Sequence, residues 1–359
     1  MKSSTGKYYL GLDQIRGVAA LIVFTWHFVQ VHNNAFKTGP TIPPFNLFTE
    51  GHTGVALFMC LSGYLFAKLL KNKTIDYEKF IFNRLLRLLP LLTLIIIING
   101  ITSIDNLTML IDYVKYILKG IIYPSLPNGG WSITVEFHFY LIVPFLLLLS
   151  LKRRNSLIWL LMLTIVIRIL LYLKLGEIQS LSYWTLVGRI DQFILGILAF
   201  KFHQVIKGKN IFILTCFVFF LLFYYYFDYM GGFFSNPSYP SNSPLWIIIP
   251  TIEGFSFSLI IAWYDNTITP SNNWFNRITA NVGKYSYSIY LLHFFFVFKM
   301  SEFVNNNIIE LSNIYITLIF SLLCFLIMIP IGYLSFRFIE KPFLKYRINY
   351  LKENKTTIN

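Results

Sequence analysis

Apolar runs of near membrane-spanning length recur along this chain. They cover residues 10–31, 53–70, 85–101, 137–151, 156–174, 184–202, 210–229, 245–264, 283–300 and 314–337. A hydrocarbon core about 30 Å thick takes about 20 residues of helix, so each run is a candidate span. Four runs contain proline, Pro90, Pro144, Pro250 and Pro330. Proline is tolerated in a spanning helix when neighbours satisfy the freed carbonyl. Only 13% of the 359 residues are charged, against about 25% in soluble domains. The expectation is an all-α, polytopic integral membrane protein of about ten transmembrane helices. Leu107 to Tyr123 is apolar as well, but Asp112, Lys115 and Lys119 make it an interfacial helix rather than a span.

The net charge of +14 would suit a nucleic-acid partner were it not for its distribution. With both termini cytoplasmic, 23 of the 30 basic residues fall on the inner side and five on the outer, namely Lys37, Lys115, Lys119, Lys174 and Lys299. Such a bias is the positive-inside pattern and excludes a nucleic-acid role as its explanation. The loop 231–244, rich in Gly, Pro and Ser and free of Lys and Arg, then faces outward. MKSSTGKYY is too short and polar for a cleaved signal sequence. Cys60, Cys216 and Cys324 lie inside apolar runs without metal-ligand or disulfide spacing, as buried thiols do. A single membrane domain, 1–345, is followed by a short basic cytoplasmic tail, 346–359.

The first run carries Asp13, Arg16 and His27. An ionisable group inside a span costs several kcal/mol and ordinarily serves a site or a pathway. Arg16 and His27 are eleven residues apart, about three turns plus 20°, so they leave the same helix face about 16 Å apart along the axis. Topology puts the arginine inward and the histidine outward. Arg84 and Arg87, in RLLRLLP, lie one turn apart where the third helix opens on the inner side. As guanidinium forks they suit phosphate oxygens, although flanking basic residues also serve as topology anchors. Glu136 begins the fourth span in a place where it completes no capping box with Ser132, which leaves it available to a site. His138 projects away from it, toward an interface.

Arg189 and Asp191, in GRIDQFILG, are two residues apart and point in different directions, so each should meet another helix. Arg168 is read as snorkelling toward the outer interface. His293 is read either as a buried histidine bonded to a Ser or Tyr neighbour or as a catalytic one, and Glu253 is an in-span acid without a nameable partner. Two classes of protein fit these residues. A transferase would hold an anionic donor at the inner mouth and use His27 as general base toward an outer acceptor. A proton-coupled transporter would use the same groups as a relay.

The motifs together resemble acyltransferase family 3, membrane proteins that O-acylate sugars of bacterial surface glycans. Leu12-Asp13-Gln14-Ile15-Arg16-Gly17 resembles the family's opening block, with Gln14 where Gly is usual, and Arg16 to His27 reproduces its Arg, ten residues, His spacing. Gly54 to Leu65 matches the next block, with Ala56 in place of a commonly acidic residue. Arg84/Arg87, Trp131-Ser132 with Glu136 and Tyr140, Gly188 to Asp191, Ser286 to His293, and Ile339-Glu340-Lys341-Pro342 follow in order.

The resemblance covers about Tyr9 to Phe343. It implies an acyl-CoA donor, most often acetyl-CoA, taken from the cytoplasm, and a glycan or glycolipid acceptor, such as lipopolysaccharide O-antigen, met at the outer side of a bacterial inner membrane. Arg16, Arg84 and Arg87 would meet the coenzyme's phosphates, and no metal is called for. The pantetheine arm, of the same order as the 16 Å separation, would run along the first helix to His27, with Glu136 orienting that base. Trp131, Ser132, Tyr140, Arg189 and Asp191 are the candidate substrate-binding residues. Trp131, Tyr123 and Phe233 would stack on a sugar or lie in the interfacial belt. The competing expectation is a glycolipid or acyl-group transporter that does no chemistry.

Overall fold

A computed structural model describes residues 9–31, 40–71, 73–104, 106–152, 155–268 and 270–353. Residues 1–8, Lys37, Arg153, Arg154 and Lys355, which entered the sequence and charge arguments, lie outside them. The described chain is helical apart from one two-stranded ribbon. The helices that position the site are α1 (Leu10–Gln30), α2 (Thr53–Leu69), α3 (Tyr77–Ser103), α4 (Leu107–Ile122), α5 (Gly130–Lys152), α6 (Ser156–Leu175) and α7 (Leu186–Lys201). They continue with α8 (Asn210–Tyr229), α9 (Ile249–Thr267), α10 (Trp274–Lys284), α11 (Ser286–Leu292), α12 (Val297–Asn307) and α13 (Ile314–Ser335). The strands are β1 (Lys73–Ile75) and β2 (Leu351–Glu353), paired antiparallel.

Each of the expected runs coincides with helix, but the number long and apolar enough to span a membrane is smaller. Among the described residues six helices qualify, and a seventh if α11 and α12, bent by 58° between them, count as one broken span. Two of the others, α2 and α7, have 17 and 16 residues. The third, α9, carries Glu253 and Asp265. Length and charge separate these three from the rest, and the three are packed against one another in the interior. The protein is a multi-pass membrane protein of all-α class. The helix α4 has 16 residues with only Gly120 buried, and it presents an amphipathic pattern with Asn106 capping Met109 N–H at 2.9 Å.

The centre of the fold is α1, the most buried of the six candidate spans. Gln14, the departure from the family pattern, ties it to its neighbours. Its amide nitrogen donates to Asn276 Oδ1 (3.1 Å) and Thr279 Oγ1 (2.8 Å) of α10, and its oxygen accepts from Tyr264 of α9 (2.7 Å). On the other side α2 and α7 approach almost backbone to backbone. A Cβ on Gly63 would lie 2.1 Å from the Phe193 carbonyl oxygen, and one on Gly196 would lie 2.1 Å from that of Cys60. Small residues allow this spacing, which in lipid is a main source of helix–helix attraction. Cys60 and Cys324 are buried free thiols, and Cys216 is half-buried.

The chain beyond α13 folds back. A π-helical turn, Phe336–Glu340, follows α13, and the segment then reaches the start of α3. Asn83 clamps Ile348 from both sides, donating to its carbonyl (2.6 Å) and accepting from its N–H (3.0 Å). Asp76 N–H donates to the Tyr350 carbonyl at 2.9 Å, beside the β1–β2 ribbon. Asp76 also caps α3, so Arg84 and Arg87 sit two to three turns inside that helix rather than at its opening.

Gly63→Ala should lower thermal stability in detergent by about 1–3 kcal/mol, the usual cost of overpacking. A melting temperature equal to that of the unmodified protein would show that α2 and α7 are free to separate.

Candidate active site

A small, partly open cavity lies between α1, α2, α3, α5 and α11. Arg16, Arg84, Arg87, Ser132, Glu136 and Tyr140 all line it, together with Ser62, Tyr287 and Tyr290. Six of the ten sequence-derived site residues therefore meet at one place, although they come from three separate helices. Their engagements differ. Arg16 pairs with Asp13, one turn earlier, at 2.5 Å. Arg84 is buried among Phe66, Phe80, Tyr140 and Tyr350, with its guanidinium 5.3–5.9 Å from each ring. Glu136 accepts from Ser62 (3.2 Å) and from Tyr140. Ser132 donates to Tyr290 Oη at 2.8 Å.

At the other end of α1, His27 is held by contacts that fix its tautomer. Its Nδ1 lies 2.9 Å from the Val23 carbonyl oxygen. A carbonyl only accepts, so Nδ1 carries the hydrogen and Nε2 keeps its lone pair. The same Nδ1 lies 3.3 Å from Nε2 of His293. His293 Nδ1 donates to the Tyr290 carbonyl, which leaves its Nε2 as an acceptor facing His27. The two imidazoles are thus ordered head to tail and enclosed by Phe24, Trp26, Phe294 and Phe298. Tyr290 joins the two regions, its hydroxyl on the cavity wall and its carbonyl on His293.

The expected pairing of Glu136 with His27 is not formed. Glu136 belongs to the cavity with the arginines, whereas the nitrogen contacts of His27 are Val23 and His293. One reading of His293 is a buried histidine with a local partner. That holds for its Nδ1, but the contact with His27 needed the fold, since 266 residues separate them. His138 Nε2 donates to the Ile121 carbonyl of α4 (2.9 Å), an interface position as expected.

Trp131, Arg189 and Asp191 lie away from the cavity, in a second polar cluster. Arg168 is fully buried and does not snorkel. It donates to Asp191 Oδ2 (2.7 Å), the Gly188 carbonyl (2.9 Å) and Thr251 Oγ1 (2.9 Å). Burial of the middle of α6 against α7 and α9 overrides the snorkelling expected from an apolar run. Arg189 stacks on Trp131 and Tyr183 and reaches the Tyr183 carbonyl and Gln192 Oε1 (3.1 Å). Gln192 passes on to Glu253 (2.7 Å), which also accepts from Tyr224 (2.6 Å) and lies 3.5 Å from His52. Arg189 and Asp191 do point to different helices, as their spacing required.

A sequence profile described as an acyltransferase domain matches residues 9–334. The chain belongs to acyltransferase family 3. Three Staphylococcus aureus proteins, from strains COL, MSSA476 and MRSA252, each bear the name "Putative O-acetyltransferase". Each is 26% identical to this chain over 401 aligned positions, covering 96% of it and 59% of the relative. The chain thus spans about three fifths of the length of these curated relatives. No solved structure matches it. Within the family 3 frame, the arginine cavity and the His27–His293 pair are joined by one continuous helix, with a rise of about 16 Å between Arg16 and His27.

Arg168→Met should destabilise the protein by about 3–5 kcal/mol, because it strands the buried Asp191 carboxylate. Arg168→Met with Asp191→Leu should recover most of that loss in thermal unfolding. A double variant as unstable as the single would mean that the pair is not what costs stability.

Proposed function

We propose that this protein is a membrane-bound O-acetyltransferase that moves an acetyl group from acetyl-CoA, taken up at the cytoplasmic side, to a sugar hydroxyl of a surface glycan. The transfer would occur near the outer side of the bacterial inner membrane. The observation that carries this reading is the fixed tautomer of His27, with Nδ1–H committed to Val23 and His293 and Nε2 left basic. Membership of the acyltransferase family and the naming of the Staphylococcus aureus relatives support the reaction class.

The acceptor hydroxyl would approach Nε2 of His27 and lose its proton to it as the oxygen attacks the thioester carbonyl. The tetrahedral adduct then expels the coenzyme thiolate, a good leaving group, which recovers the proton. The products are the ester and free coenzyme, and His27 returns to its starting state. Positioning and base catalysis supply the acceleration. With its own Nδ1–H held by the Tyr290 carbonyl, His293 presents its Nε2 lone pair to the His27 Nδ1–H and orients that ring. Arg84 and Arg87 would hold the phosphate end of the donor, with the arm following α1. A relay for proton-coupled transport would call for a continuous set of exchangeable groups along α1. Between Arg16 and His27 that helix offers Thr25 as its one side chain with an exchangeable polar hydrogen on oxygen.

His27→Ala should reduce acetyl transfer by about 10²–10⁴-fold, the usual worth of a general base. Mass spectrometry of the surface polysaccharide from cells carrying the variant would read this, and unchanged acetylation would refute the assignment. His293→Gln, which keeps an acceptor near His27 Nδ1, should retain much more activity than His293→Leu. The difference should appear in kcat rather than in the KM for acetyl-CoA. Equal activities would remove His293 from the orientation of the base.

A further inference from the structure

The segment after α13 holds Arg347 and Tyr350, beyond the region that the acyltransferase profile covers. Tyr350 is fully buried against Phe80, and its hydroxyl faces Arg84 Nη2 at 3.5 Å. Arg347 interacts electrostatically with Arg84, Arg87 and Tyr140, all of which line the cavity. Among the described residues no carboxylate lies within 4 Å of Arg84, Arg87 or Arg347, whereas Arg16 and Arg168 each have one. Arg84 and Arg347 also keep a buried Nε–H without a partner; Arg168 does too, but its charge is met by Asp191. Arg84 is itself more than nine-tenths buried. Buried donors are nearly always satisfied in folded proteins, so two orphans in one cluster mark a place where an acceptor belongs.

We propose that Arg347, on a segment that packs against α3 beside the donor cavity, joins Arg84 and Arg87 in binding a polyphosphate ester. This rests on the reading of the cavity as the donor site and adds a ligand residue to it. The nearby acids Glu136, Glu340 and Asp13 act on Arg87 through space but, among the described residues, make no ion pair within 4 Å with the cluster. Asp13 is paired with Arg16, Glu136 is held by two hydroxyls, and Glu340 accepts from Ser288. A positive-inside anchor would turn its guanidinium to water or headgroups, but the Arg347 Nε is enclosed. Burial and then the charges of Arg87 and Arg84 push the Arg347 pKa down to about 9. Its cation is therefore less favoured than that of a solvated arginine, though still the main form near neutral pH, and a bound phosphate would reverse that shift. A nucleotide carrying several phosphate charges is the class of ligand that three convergent guanidiniums suit.

The test uses the full chain in detergent, titrated with coenzyme A, adenosine 3′,5′-bisphosphate, pyrophosphate and S-acetylpantetheine. Arg347→Gln should weaken coenzyme A and the two phosphate probes by about tenfold or more, the worth of one charge-assisted contact. It should leave S-acetylpantetheine unchanged. Arg347→Lys should fall between. The ligand-free Arg347→Gln protein should melt at the same temperature as the unmodified chain or higher, because a repelled charge is gone. Unchanged coenzyme affinity in Arg347→Gln would overturn the proposal, whether or not the variant melts lower. So would failure of the unmodified protein to bind any phosphate probe. Pyrophosphate binding that depends on Arg347, without affinity for coenzyme A, would support the phosphate site and refute the coenzyme reading alone.

Discussion

A guanidinium enclosed in the middle of a helical membrane protein is tolerable only if its N–H groups find oxygens. That constraint sorts the interior of this molecule into two kinds of polar region. In one, Arg168 is met by Asp191, Thr251 and the Gly188 carbonyl, and Arg189 by two aromatic faces, a carbonyl and Gln192. These contacts lock α6, α7 and α9 together, and the helices too short or too charged to span alone are held inside by them. In the other, Arg84 and Arg347 retain buried donors with nothing to meet them. The first region has its arginine charge paired with a carboxylate, although Arg168 Nε and Asp191 Oδ1 are left over. The second has no carboxylate within 4 Å of Arg84 or Arg347 among the described residues, which is where the proposed phosphate would bind.

Helix α1 links that second region to the imidazole pair. Its burial on nearly every side means that neither end can shift independently of the other. Gln14 bridges to α10 and α9 near one end, and Ser301 donates to the Phe28 carbonyl near the other, at 2.9 Å. A rigid rod of this kind suits a reaction whose donor is long and must present its reactive group at a fixed depth. The ordering of His27 by His293 follows the same logic on a smaller scale: a backbone carbonyl sets one ring and that ring sets the next.

The apolar runs and the residues that share a helix face were legible because each depends on local composition or on short spacing. Arg84 and Arg87 share a helix face by sequence alone, and so do Arg16 and His27. Relations across hundreds of residues were not legible. Nothing near Arg168 in the sequence announces Asp191, and an isolated arginine in an apolar run looks the same whether it snorkels or is buried. His293 could be flagged as buried, but not as the neighbour of His27. Glu136 was assigned to the histidine because both were placed at similar depth, and only packing shows that it faces Ser62 and Tyr140. The basic residues after α13 were counted as topology charges, since charge counting cannot distinguish a solvated lysine from an enclosed arginine. The Asn83 clamp on Ile348 has no signature in sequence at all.

The same clamp has a consequence for how the molecule is made. Helices of such a protein enter the bilayer in the order of synthesis, and α3 is in place long before residues 345–353 leave the ribosome. Until they do, Phe80 lacks Tyr350, Arg84 has one wall fewer around it, and β1 has no partner strand. The surroundings of Arg84 are therefore among the last parts of the domain to reach their final form. A nascent chain would carry the histidine pair and the buried Arg168–Asp191 pair before Arg84 has Tyr350 beside it.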